Sequence, residues 1–164
     1  MNLSDWANIA TIVQAILVPV SIGISTYFVL YQLRESTRLT RAANTEKLVE
    51  LISPLHLQLV QDRETARLWV QGADQWNTMD EVGKERYSGL LNFCLVFHQN
   101  IYHQHKQGLL DEETFTAWTN DLKAFIKYQH LKRRWPDLRE YLEPSFVKYI
   151  DGLIDIVEAQ SISS

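Results

Sequence analysis

One cysteine, six glycines and four prolines in 164 residues set the first limits on this chain. Cys94 has no second cysteine to pair with, so an intramolecular disulfide and a cysteine-rich zinc site are both excluded. So few glycines and prolines encode few tight turns, which favours long helices over many short strands. Basic charge is also scarce. The 16 Lys and Arg are outnumbered by 20 Asp and Glu, giving a net charge of −4. The overall basicity of a nucleic-acid binder is missing, and nucleic acid is not the expected partner. The most uneven absence lies at the N-terminus. No Lys or Arg precedes Arg34, and no charged side chain of either sign occurs from Trp6 to Leu33.

Catalytic signatures are absent too. There is no P-loop, no dinucleotide-binding glycine pattern, no G-x-S-x-G and no H-E-x-x-H. Helical ribonucleases of the HEPN type pair an arginine with a histidine in R-x4–6-H, so that one holds phosphate charge while the other moves a proton. No arginine here precedes a histidine at that spacing, and before His98 the corresponding positions are Leu91, Asn92 and Phe93. No cofactor and no enzymatic activity are expected.

What is present begins with WANIATIVQAILVPVSIGISTYFVLYQL, Trp6 to Leu33. As a helix it would extend roughly 42 Å, against a bilayer hydrocarbon core of about 30 Å. The sequence therefore predicts a transmembrane segment at 1–33, spanning residues 6–31. Trp6 sits at one end and Tyr27, Phe28 and Tyr31 at the other, as interfacial aromatics do. A secretory signal peptide would carry a basic residue ahead of its apolar run, where this chain carries Asp5. Arg34, Arg38, Arg41 and Lys47 follow the span closely. Positive residues stay on the cytoplasmic side, which places the N-terminus outside an inner membrane and the rest in the cytoplasm. Pro19 predicts a mild kink near Ala15. Ala7, Ala10, Gln14, Ser21 and Ser25 recur near the helical repeat and form one small-and-polar stripe. Helices associate in membranes through such stripes, so a homo-oligomer held by Ala10, Gln14, Ser21 and Ser25 is expected, with membrane lipid around it.

The remaining chain reads as an all-α domain. Residues 34–52 continue as a helical stalk, and Ser53-Pro54 predicts a break that opens a helical domain over 53–164. Asp62 caps a helix ending near Gly72. Thr78 with Glu81 has the capping-box pattern and starts a helix reaching Gln107, with Gly108 as its stop. Its middle, LLNFCLVFHQNIY, is apolar on nearly all sides and predicts a central buried helix. Asp111 caps a further helix whose apolar stripe is Phe115, Trp118, Leu122, Phe125 and Ile126. Trp135-Pro136 opens a short turn. A last helix, from Pro144 to Ala159, buries Phe146, Ile150, Leu153, Ile154 and Val157. The expected fold is one N-terminal transmembrane helix followed by an irregular bundle of four to six helices.

Two clusters carry candidate chemistry. Cys94, His98 and His105 share one side of the central helix, and thiolate with imidazole at i, i+4 is a zinc-binding arrangement that still needs further ligands. The weaker metal expectation rests on these three residues. The run KYQHLKRRW gathers Lys127, Lys132, Arg133 and Arg134 beside aromatics, suited either to anionic lipid or RNA or to a helix C-terminal dipole.

The uncharged N-terminal helix followed by arginines, then ETARLWVQG, NIYHQHKQGLLDEETFTAW and RRWPDLREYLEPSFVKYID, resembles small uncharacterised bacterial membrane-anchored helical proteins. More distantly, the layout is similar to the membrane accessory protein of RNA-targeting CRISPR systems, which joins a transmembrane helix to a helical domain and assembles into a pore. The resemblance implies a non-enzymatic membrane protein acting by self-association, as an oligomeric pore or scaffold. A membrane-tethered RNA-binding or RNA-cleaving module and an accessory subunit with a protein partner are the alternatives.

Overall fold

The computed structural model describes residues 3–129 and 131–162, with side chains at 17, 19–129 and 131–160. The described residues are all-helical, in six α-helices: α1 Leu3–Gln61, α2 Arg63–Gln75, α3 Glu81–Lys106, α4 Glu112–Tyr128, α5 Trp135–Leu138 and α6 Pro144–Ile162. Single 3-10 turns occur at Trp76–Thr78, Leu131–Arg133 and Arg139–Tyr141. The chain divides into two compact units, Met1–Ala42 and Ala43–Ser164.

In the first unit the described side chains from Leu17 to Leu33 are exposed, and helix continues through Pro19. The side chains of Trp6, Ala10 and Gln14, on which the expected span and its stripe depend, lie outside the described residues. Among the described residues no helix is long and apolar enough to cross a membrane. Positions 17–33 alone make 17 residues, short of the roughly 20 that a span takes.

The second unit begins at Ala43, inside the expected stalk. The expected break at Ser53-Pro54 does not occur, because α1 is helical through to Gln61. A proline within a helix leaves one carbonyl without its amide partner. Here Leu48, Ile52 and Leu55 are buried on the core side while Pro54 faces solvent. Burying such a side chain contributes about 1.5–3 kcal/mol each, enough to hold the helix through the proline.

Most caps follow the sequence. Asp62 accepts from the Thr65 amide at 2.9 Å and opens α2. Asp111 accepts from the Thr114 amide at 2.8 Å and opens α4. Gly108 ends α3 with φ +72°, a conformation that costs a side-chain-bearing residue more. The expected capping box differs: Asp80, not Thr78, caps α3 by accepting from the Gly83 amide at 2.7 Å. Thr78 instead donates to the Gln75 carbonyl at 3.0 Å and closes the preceding 3-10 turn. Aspartate two residues nearer the apolar run satisfies the same orphan amides with a full charge.

Within this unit α4 packs against both α3 and α6, and α2 packs against α3. The core is one cluster centred on Tyr87, Leu91, Leu95, Ile101, Leu122, Phe146 and Ile150. The central helix α3 is not covered on every side, since Phe93 and Val96 stay exposed at 41% and 48%. A second departure involves Gly72. The sequence reads it as a helix end, but α2 continues to Gln75 and Gly72 is buried. A Cβ there would stand 2.4 Å from the Tyr87 ring, so only glycine admits the close approach of α2 to α3.

The two helical glycines at Gly72 and Gly89 therefore predict opposite outcomes. Gly72→Ala should destabilise the chain by about 1–3 kcal/mol through forced displacement of Tyr87. Gly89 in α3 has nothing within 4 Å of its would-be Cβ, so Gly89→Ala should stabilise by about 0.5–1 kcal/mol. Denaturant unfolding of the two variants beside the parent checks both signs.

Candidate functional site

A cavity of about 400 Å³ opens within the Ala43–Ser164 unit, between α1, α2, α3 and α4. Helical spacing assembles its walls. Ile52, Leu55, His56 and Leu59 stand at i, i+3, i+4 and i+7 on α1, and Cys94 and His98 at i, i+4 on α3. Trp118, Asp121, Phe125 and Tyr128 line one side of α4, and Trp69 closes the cavity from α2. Trp69 stacks on Phe125 with ring centroids 5.9 Å apart, and Phe125 in turn lies nearly parallel to the His98 ring at 6.3 Å.

His98 is the buried polar group of this cavity, 5% exposed. Its Nδ1 lies 2.8 Å from the Cys94 carbonyl oxygen. A carbonyl only accepts, so Nδ1 is the donor in this contact. Nε2 lies 3.3 Å from Asp121 Oδ2, within ion-pairing range, and Asp121 is the group it faces. Asp121 is more open, with 62% of its side chain exposed. The adjacent His98 nitrogen is the main influence holding the Asp121 carboxyl below its ordinary range. Partial burial opposes it, and positive charge on His98 and His56 acts in the same direction.

The setting of Cys94 disfavours a nucleophilic thiolate. Burial, with the Asp121 charge adding to it, pushes its thiol up to about 12, so the reactive thiolate is suppressed. His98 is also turned away from activating it, since Nδ1 is committed to the Cys94 carbonyl and Nε2 faces Asp121. Cysteine, histidine and aspartate thus meet here without forming a catalytic triad.

The candidate metal set is not brought together. Cys94 and His98 share the cavity, while His105 Nε2 pairs with Glu112 at 2.9 Å and stacks on Phe115 at 3.8 Å. Among the described residues no group of three or more His, Cys, Asp or Glu is placed to hold a metal ion. Two of the four residues of the basic run are engaged. Lys132 pairs with Glu158 at 2.6 Å, and Arg134 pairs with Asp137 at 3.1 Å and lies 3.5 Å over the Trp76 ring. Lys127, Lys132 and Arg133 line a separate cavity of about 370 Å³ that also holds Glu158, while His130 lies outside the described residues. Trp135 is a core anchor, 5% exposed, whose indole donates to Asp151 at 2.6 Å. Trp118 belongs to the cavity wall instead.

Asp121, His56, Trp69 and Tyr128 are the site residues that sequence reasoning missed. Asp121 and Tyr128 sit seven positions apart on α4, beside the apolar stripe, which is the one local signal available. The chain matches no protein-family model, no curated protein and no solved structure. No activity therefore transfers to this site from a relative.

Cys94 should resist alkylation in the native chain from pH 7 to 9 and react fully once the chain is unfolded. Rapid labelling of native protein would show an accessible thiolate. Asp121 predicts an acid effect. Its folded value is depressed, so its contribution to stability is complete above the unfolded carboxylate value of about 3.9 and is lost as the pH falls through the folded one. Asp121→Asn should accordingly shallow the acid limb of a stability–pH curve below about pH 4, by a small amount because the group is well exposed.

Proposed function

We propose that the chain is a single-pass membrane protein that acts without catalysis, by self-association of its N-terminal helix into a scaffold or pore. The observation that carries this is the exposure of the first unit. Between Leu17 and Leu33, ten large apolar side chains are 50–67% exposed, from Val20 at the low end to Tyr27 at the high end. At 3.6 residues per turn they occupy every quadrant of the helix. A helix apolar all round has no face suited to water and requires an apolar surround. A bilayer is such a surround, once residues 6–16 complete the length. Arg34, Arg38 and Arg41 then stand at the boundary, with Arg38 paired to Glu35 at 2.9 Å. Their placement favours a cytoplasmic second unit and an N-terminus outside an inner membrane.

Self-association draws support from Ala10, Gln14, Ser21 and Ser25. An amide facing hydrocarbon alone is unfavourable, and pairing it across helices contributes about 0.6–2 kcal/mol. A non-enzymatic role agrees with a suppressed Cys94 thiol and a committed His98. The alternative of a tethered RNA module loses weight, because Lys132 and Arg134 are already paired to Glu158 and Asp137.

Single cysteines placed at Gln14 and Ser21 in a Cys94→Ser background test the reading in native membranes. Both should form disulfide dimers in higher yield than Ile12→Cys and Val29→Cys controls. Equal yields, together with a monomer in mild detergent, would overturn self-association. Release of the parent chain from membranes by alkaline extraction would overturn membrane insertion itself.

A further inference from the structure

We infer that the cavity between the end of α4, the Leu131–Arg133 turn and α6 binds an aliphatic phosphate, a phosphate group carried on an apolar chain. Lys127 and Arg133 would hold the phosphate, and Ile126, Ile154 and Val157 would lie against the carbon. This inference stands apart from membrane placement and from self-association, since every residue it uses lies in the Ala43–Ser164 unit.

The site is positive in a chain that is acidic overall. Glu158 is the one acid in its wall, and Lys132 takes it at 2.6 Å. Lys127 and Arg133 pair with no carboxylate among the described residues, so two positive charges line one cavity uncompensated. The end of α4 accounts for part of this, since a helix C-terminus carries about half a negative charge. Two whole charges exceed that. A phosphate monoester has a second pKa of about 6, is close to doubly negative above neutrality, and offers three strong acceptor oxygens. The planar Arg133 guanidinium suits two of those oxygens, and the Lys127 ammonium acts as a point charge beside them. A carboxylate would leave one of the two cations unmatched.

The rest of the site selects for an aliphatic body. Its basic side chains are exposed, while Ile126, Ile154 and Val157 are buried and form an apolar floor from α4 and α6. Carbon laid on that floor leaves water, which is favourable in proportion to the area covered. About 370 Å³ has room for a phosphate and several carbons. No aromatic ring stands among the described lining residues, so a nucleotide base has nothing to stack on, and stacking is what holds single-stranded RNA. A lipid headgroup and a soluble alkyl phosphate share the chemistry that fits.

The test uses the full chain in nonionic detergent at pH 8, with butyl phosphate as probe and calorimetry as readout. Saturable one-to-one binding is expected. Butanoate and inorganic phosphate should each bind about tenfold more weakly, the first lacking the second charge and the other the chain. Lys127→Gln combined with Arg133→Gln, at exposed positions that folding tolerates, should weaken butyl phosphate by about tenfold or more. Glu158→Gln should tighten it, because Lys132 is then free to meet the phosphate, a gain that helix-end electrostatics alone would not produce. Displacement of butyl phosphate by phosphatidate in the micelles, with none by phosphatidylcholine, assigns a lipid as the source, and displacement by neither assigns a soluble alkyl phosphate. Butanoate as tight as butyl phosphate would overturn the phosphate assignment, and inorganic phosphate as tight would overturn the apolar body. Tighter binding of a short RNA, lost with the same two cations, would overturn the aliphatic ligand in favour of nucleic acid. No saturable binding, or binding unchanged by the Lys127 and Arg133 substitutions, would overturn the site.

Discussion

A buried hydrogen bond between Tyr87 and Gln129 governs how the helical unit assembles. The Tyr87 hydroxyl donates to Gln129 Oε1 at 2.7 Å, and Gln129 Nε2 donates to the Trp69 carbonyl at 3.2 Å. Both side chains are nearly inaccessible, at 0% and 1% exposure. Burial raises the Tyr87 hydroxyl above its ordinary value, which keeps it a donor. In so dry a place either group left alone would forfeit its hydration, about 1–3 kcal/mol, so the two must find each other as the core closes. Their pairing ties α3 to the C-terminal end of α4 and to α2 together. Gly72 is the steric side of the same constraint, because α2 comes this near only where no Cβ meets the Tyr87 ring.

The cavity is a consequence of that arrangement. Trp69 is held over Phe125 by the α2–α3 approach and by its carbonyl's bond to Gln129. It therefore stands as a wall facing α1 and cannot fill the space itself. His98 is fixed from below by its own helix through the Cys94 carbonyl, and Asp121 meets its Nε2 from α4 at 3.3 Å. Close-packed interiors leave few such gaps, and polar atoms at a gap are met by partners. Other polar groups of the unit meet across its helices. Asp151 takes the Trp135 indole and the Arg139 guanidinium together, fastening α5 to α6. His103 and His105 each face a glutamate, Glu143 and Glu112, at 2.9 Å.

Much of the fold was legible because its determinants are local. Asp62, Asp111 and Gly108 act within one turn of their own positions, so their caps could be read in order along the chain. The α6 stripe of Phe146, Ile150, Leu153, Ile154 and Val157 follows helical spacing and is buried throughout. Local signals were misleading where two competed. Thr78 and Asp80 both suit the start of α3, and which one caps depends on the turn at Trp76–Thr78. Pro54 marks a break by its own chemistry, yet Leu48, Ile52 and Leu55 bury enough surface to carry α1 past it.

By itself the sequence determined helix over strand, the boundaries that caps and glycine enforce, and the uncharged run from Trp6 to Leu33 with its arginines beyond. Each of these depends on residues within a few positions of one another, where periodicity and backbone preference act. Only the tertiary structure decided that Gly72 is a contact and not a helix end, and that Arg134 is spent on Trp76 and Asp137. It alone also decided that His98 answers to Asp121 and not to His105. His98 and Asp121 lie on different helices, and no spacing along one chain encodes the distance between two side chains that meet only when α3 packs against α4.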